Sequence, residues 1–188
     1  MITSNGNGSY GVEFQVNGED DYVTVDSQLQ SNGVYGLYYA KTGADSSIWV
    51  PLVEKAYAEL TEQTSVFSTD NNANSYAGIN GGWDNGLSAL TGQTTDDYPT
   101  SSPGTLATAL TAATANNEDV MIASYSASNG WVNDHMYSVT NFNSKTDMIT
   151  VRNPWGTGAG GYEYMTMSLS DLPSQDLVLI ANGKPAAA

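Results

Sequence analysis

The stretch NDHMYSVTNFNSKTDMITVRNPWG, residues 133–156, reads as strand, turn, strand. Aromatic and β-branched residues run on either side of an Asn-Ser-Lys turn. The segment holds the single histidine of the chain, His135, and an Asn-Pro-Trp-Gly that opens at Asn153. A lone histidine near a strand start is ordinarily a surface or core residue, and an asparagine before proline is ordinary turn chemistry. Together they say more. Strand pairing would set the two side by side, where an amide oxygen accepts from one imidazole nitrogen and leaves the other free to move a proton. That arrangement serves Cys-His-Asn catalysis, in which a thiolate attacks a carbonyl and the third residue orients the base. Trp155 stands where it could cover the bond and keep water out.

Around this stretch, from residue 120 onward, the pattern is β. VMIASYS, HMYSVTNFN, DMITVRNP, GYEYMTMSL and DLVLIAN are short strands separated by turn signals, which predicts an antiparallel sheet. Before them, SPGTLATALTAATANN reads as an amphipathic helix opening at Pro103, after a connection rich in Ser, Thr, Pro and Asp. WDNGLSALTG predicts a short helix, and Gly81-Gly82 a flexible joint. The best helix lies further upstream. Trp49, Leu52, Val53, Ala56, Tyr57 and Leu60 fall on one face, with Ser46 or Ser47 as N-cap and Pro51 in the first turn. At the front, Val12, Phe14 and Val16 alternate, and Tyr22, Val23 and Val25 follow NGEDD, which predicts a hairpin with Asn-Gly and three acids in its turn. The fold class is α+β. Residues 1–80 form a mixed first lobe with the long helix, 81–183 a second, antiparallel-sheet lobe, and 184–188 a patternless tail that reads as a cloning scar.

Charge narrows the function. Five Lys and Arg against twenty Asp and Glu give a net charge of −15, which excludes nucleic acid and anionic membrane as partners. Charged residues make up only 13 % of the chain, so its polarity comes mainly from Asn, Ser, Thr and Gly, a style suited to an extracellular bacterial module. No apolar run approaches the length of a membrane span, and no signal-peptide core is visible. There is no cysteine, hence no disulfide and no thiolate metal site.

The motifs resemble those of the calpain family of papain-like cysteine proteases. HMYSVTNF followed by ITVRNPWG is similar to the family's His-Ala-Tyr-Ser-Val strand and its Arg-Asn-Pro-Trp-Gly. SSIWVPLVEKAYAEL resembles its Trp-x-x-Leu-Leu-Glu-Lys-Ala-Tyr-Ala helix. VEFQVNGEDDYVTVDSQLQ is similar to the hairpin before that helix, and AGINGGWDNGLSALTG to the crossing between the two catalytic lobes. The motifs keep the family's order and cover about residues 10 to 165. The resemblance implies an incomplete papain-like core of the calpain type, with His135 as general base and acid, Asn153 as its orienter and Trp155 as the shield. Met136 stands where the family has Ala.

The family's nucleophile lies in a Gly-Asp-Cys-Trp segment upstream, together with a Gln of the oxyanion hole. Neither is in MITSNGNGSYG, and no serine here has a motif that would replace the thiol. The resemblance therefore implies the His/Asn part of a peptidase whose Cys-bearing segment comes in cis or in trans. A peptide or protein is the substrate of the intact parent, and the chain alone is expected to be inactive. A part without its nucleophile helix should expose apolar surface, so homodimerisation is a further expectation.

No cofactor is required by this reading. Calcium is the one ion the resemblance implies, and Asp45, in the loop before the long helix, is the candidate ligand. GTGAGGYEY after Trp155 lacks the acids found there in animal calpains, and the runs Glu19-Asp20-Asp21 and Asp96-Asp97 read as solvated turns. The alternative from another class is a non-catalytic binding or adhesion module of a large secreted acidic bacterial protein. Its support is the composition and tyrosines such as Tyr35, Tyr38, Tyr39 and Tyr98.

Overall fold

A computed structural model of the chain describes residues 2–31, 33, 37, 40–42, 46–63, 76–79, 83–126, 128–156 and 162–185. It is an α+β protein. Its contacts divide it into two compact units, residues 1–92 with 185–188, and residues 93–184.

The first unit opens with β1 (Ile2–Ser4), β2 (Ser9–Val16) and β3 (Glu19–Asp26), an antiparallel sheet in that order. The β2–β3 turn is the two residues Asn17 and Gly18, both at positive φ (52° and 80°). Two consecutive left-handed residues match the right-handed twist of a hairpin, and Asn-Gly is the pair that tolerates them. The three acids expected in the turn belong instead to β3, where Glu19, Asp20 and Asp21 pair with Val16, Gln15 and Phe14. Alternation puts Val12, Phe14, Val23 and Val25 on one face, and α1 (Trp49–Gln63) covers it with Leu52, Ala56 and Leu60.

The helix departs from expectation at its start. Trp49 is 57 % exposed, so the apolar stripe begins at Leu52. Ile48 precedes the first helical residue and its carbonyl accepts the Leu52 N–H, which places the N-cap there and not at Ser46 or Ser47. A short helix, α2 (Trp83–Thr91), adds Ala89 to this core, so it packs in the first unit although the sequence grouped it with the second lobe. The Gly81-Gly82 joint and Tyr35, Tyr38 and Tyr39 lie outside the described residues.

The second unit holds a six-stranded sheet in the order β4-β9-β5-β6-β7-β8, with β4 (Gln93–Pro99), β5 (Val120–Ser124), β6 (His135–Asn143), β7 (Met148–Arg152), β8 (Tyr164–Ser168) and β9 (Leu177–Pro185). The five strands expected from residue 120 onward are all present. The sixth, β4, is the segment read as a Ser/Thr/Pro/Asp-rich connection. It lies at an edge, where Pro99 and exposed acids are tolerated, and Thr94 and Asp96 bond the Asn182 side chain of β9. α3 (Pro103–Asn116), with Pro103 in its first turn, buries Leu106, Leu110 and Ala113 against Ile122, Tyr137, Ile149, Val151 and Val178. The helix ends at Asn117 in the left-handed conformation, a common stop signal.

Candidate active site

β5, β6 and β7 pair in antiparallel register, Ser124 opposite His135 and Ser138 opposite Arg152. On β6, Tyr137 packs in the core with α3, and His135, also buried, shares its face because successive residues alternate faces. On β7, Ile149 and Val151 share that face, and Asn153 follows two residues on. The two strands thus deliver the imidazole and the amide to the same face at the same end.

His135 Nε2 and Asn153 Oδ1 are 3.0 Å apart, with the two residues 8 % and 1 % exposed. Asn153 Oδ1 also accepts the backbone N–H of Trp155 at 3.0 Å. An oxygen that already takes one N–H is an acceptor, so Nε2 carries the proton and donates it. Nδ1 is then the basic nitrogen, and among the described residues it makes no hydrogen bond. Asn153 is itself held by its backbone: its N–H donates to Glu163 O at 2.8 Å and its carbonyl accepts from Gly156 N at 3.1 Å. The latter closes a turn with Pro154 in the position that favours proline and Gly156 at φ 66°.

Two rings wall the imidazole. Trp155 lies 4.1 Å away, centroid to centroid, tilted by 46°, and Tyr137 lies 5.0 Å away, edge-on at 88°. Tyr137 is fixed in turn, its hydroxyl accepting Val132 N–H at 2.9 Å and its ring edge-on to Trp131 at 4.7 Å. Burial among these groups holds the His135 imidazole below its usual value of 6.5, against the opposing pull of the Asn153 bond. The site therefore presents a neutral imidazole, oriented by an amide and shielded on two sides. Such an imidazole can take up a proton at Nδ1.

All of the three residues singled out from the sequence, His135, Asn153 and Trp155, meet here. Tyr137 was overlooked, although its position two residues after His135 already put it on the same strand face. Arg152, inside the Arg-Asn-Pro-Trp motif, pairs with Glu163 (Nε to Oε1, 3.5 Å). One polar atom of the site is left over. Asn153 Nδ2 is fully buried and has no hydrogen-bond partner among the described residues.

Asp45, the calcium candidate, lies outside the described residues. Among the described residues no three His, Cys, Asp or Glu side chains stand close enough to hold a metal ion.

The model of calpain family cysteine proteases matches residues 2–165. None of the curated proteins matches the chain.

Proposed function

The chain belongs to the calpain family of cysteine proteases, and we propose that it is the His/Asn portion of a peptide-bond hydrolase whose thiol lies outside these 188 residues. Its fold, on this reading, is an incomplete papain-like core. The observation that carries the proposal is the 3.0 Å bond from His135 Nε2–H to Asn153 Oδ1, which leaves Nδ1 as the free base.

The chemistry follows from that tautomer. His135 Nδ1 takes the proton of a cysteine thiol supplied by the missing segment, in cis or in trans, and the thiolate attacks the scissile carbonyl. The imidazolium so formed is doubly protonated, and Asn153 Oδ1 accepts from Nε2–H throughout. The Nδ1 proton then passes to the leaving amine, and in the second half-reaction Nδ1 deprotonates the water that releases the acyl group. Trp155 keeps bulk water from competing for the Nε2–H bond. Asn153 orients, Trp155 shields, and only His135 moves protons.

The fully buried Asn153 Nδ2 supports the same reading. An unmade buried hydrogen bond is costly, and a segment packed beside the site would supply the acceptor. With no cysteine anywhere in the sequence, the chain alone should not cleave peptides.

The test compares casein cleavage by this chain with that by the longer parent product carrying its upstream coding sequence. The parent should cleave, lose activity on thiol alkylation, and lose it again with His135→Ala. A parent that cleaves casein undiminished by His135→Ala would end the proposal, and one with no cysteine upstream would leave only a thiol supplied in trans or a binding role.

A further inference from the structure

The end of β5 is held by side chains where backbone pairing runs out. The β5–β9 ladder reaches Ala123 opposite Leu177. One step beyond, Asp176 Oδ1 accepts the Tyr125 N–H at 2.8 Å, and Gln175 Nε2 donates to the Tyr125 carbonyl at 2.8 Å. Two consecutive side chains thus supply both bonds that a neighbouring strand would have made. The clamp is anchored from behind. Thr100 donates its N–H and hydroxyl to the Asp176 carbonyl at 3.1 and 2.9 Å, and Asp176 N–H donates to Pro173 O at 3.1 Å.

What the clamp holds is next to the imidazole. Ser124, fully buried, is the β5 residue opposite His135, and opposed residues in a sheet project from the same face. Directly after Tyr125 the chain leaves the sheet for the loop that carries Trp131 and Val132 against Tyr137, and it returns at Asp134, in the left-handed conformation (φ 52°), to start β6 at His135.

We propose that Gln175 and Asp176 are positioning residues for His135: by gripping Tyr125 they fix the point where β5 ends, keep Ser124 against the histidine, and set the start of the loop that delivers it. This rests on the reading of His135 as the base, but it concerns the geometry of the imidazole in this chain and can fail while that reading stands.

Asp176 is 1 % exposed, and its Oδ2 has no hydrogen-bond partner among the described residues. Burial holds its carboxyl above the usual carboxylate range, against the Tyr125 and Ser124 hydrogen bonds. The other titratable groups around the clamp are Tyr125 and Tyr137, which feel the Asp176 charge, and Asp97 and Asp134, which act on Tyr125.

The sign of one measurement separates positioning from plain charge. His135 is the only histidine, so its imidazole protons in an NMR pH titration are assigned without ambiguity. Asp176→Asn keeps an oxygen to accept the Tyr125 N–H and removes the charge, whereas Asp176→Ala removes the acceptor as well. If the clamp positions the ring, Asp176→Ala lets water reach it and the midpoint rises toward 6.5, while Asp176→Asn leaves it in place. Gln175→Met, which keeps length and removes the amide donor, takes the place of Asp176→Ala should that variant not fold, with a rise again expected. A midpoint unmoved in the folded clamp variant, or one that falls alike in Asp176→Asn and Asp176→Ala as loss of a nearby negative charge alone would cause, overturns the proposal.

Discussion

At the scale of single residues, the chain's most informative group is His135, and its burial sets a pH dependence whose sign can be worked out. The unfolded chain takes up the imidazole proton near pH 6.5 and the folded chain lower. Between those values the unfolded state holds more protons, so this histidine's contribution is lost as pH falls through 6.5. Glu54 and Asp176 act with the opposite sign. Burial raises both carboxyls, so the cost of their charge is relieved as pH falls through their folded values. Comparison of Tm for the native chain and His135→Gln isolates the histidine. From about pH 7.5 to pH 5.5 the native chain should lose ground against the variant; a Tm difference flat across that range would mean an imidazole that protonates freely in the fold. The His135–Asn153 pair was legible in the sequence because a hairpin brings residues of fixed separation together. The second acceptor role of Asn153 Oδ1, toward Trp155 N–H, was not, because a turn's side-chain bond leaves no periodic trace. Trp49 misled for the related reason that helical spacing specifies a face but not where along the helix the face becomes covered.

At the scale of elements, local chemistry decided more than composition did. The β2–β3 turn is the sharpest case. Asn17 and Gly18 both sit at positive φ, and a Cβ at residue 18 would meet nothing within 4 Å, so any penalty there is backbone strain and not a clash. Gly18→Ala should cost about 1–2 kcal/mol, read as a lowered midpoint in urea, because an L-residue with a side chain resists that conformation. A variant as stable as the native chain would show that the turn relaxes to another type. The long helix, the helix that opens at Pro103 and the five strands from residue 120 were legible because their periodicities extend over several turns or pleats. β4 was not, because this edge strand carries the Thr, Asp and Pro that elsewhere signal a loop. β1 was missed because three residues give no period to read.

At the scale of the whole molecule, two cores and one strongly negative charge coexist. The first core rests on Phe14, Leu52 and Leu60 and the second on Leu106, Ile122 and Tyr137, all essentially inaccessible. α2 joins the first core by packing that the sequence does not announce. The net charge of −15 bears on something besides partners. β8 closes one side of the six-stranded sheet, and its five residues, Tyr-Met-Thr-Met-Ser, carry no charge, proline or glycine. An open, uncharged strand edge is a template for a further strand, and natural sheets usually guard such edges with lysine or proline. With no such guard among the described residues of β8, repulsion between whole molecules is the brake we expect, and it vanishes near the sequence isoelectric point of about 4.1. Light scattering should therefore rise sharply as a neutral solution is taken toward pH 4, and Thr166→Lys, an exposed change on that strand, should delay it. Equal turbidity in both proteins would acquit the edge. If the variant does delay it, passage through an acidic environment is the event that joins these molecules strand to strand.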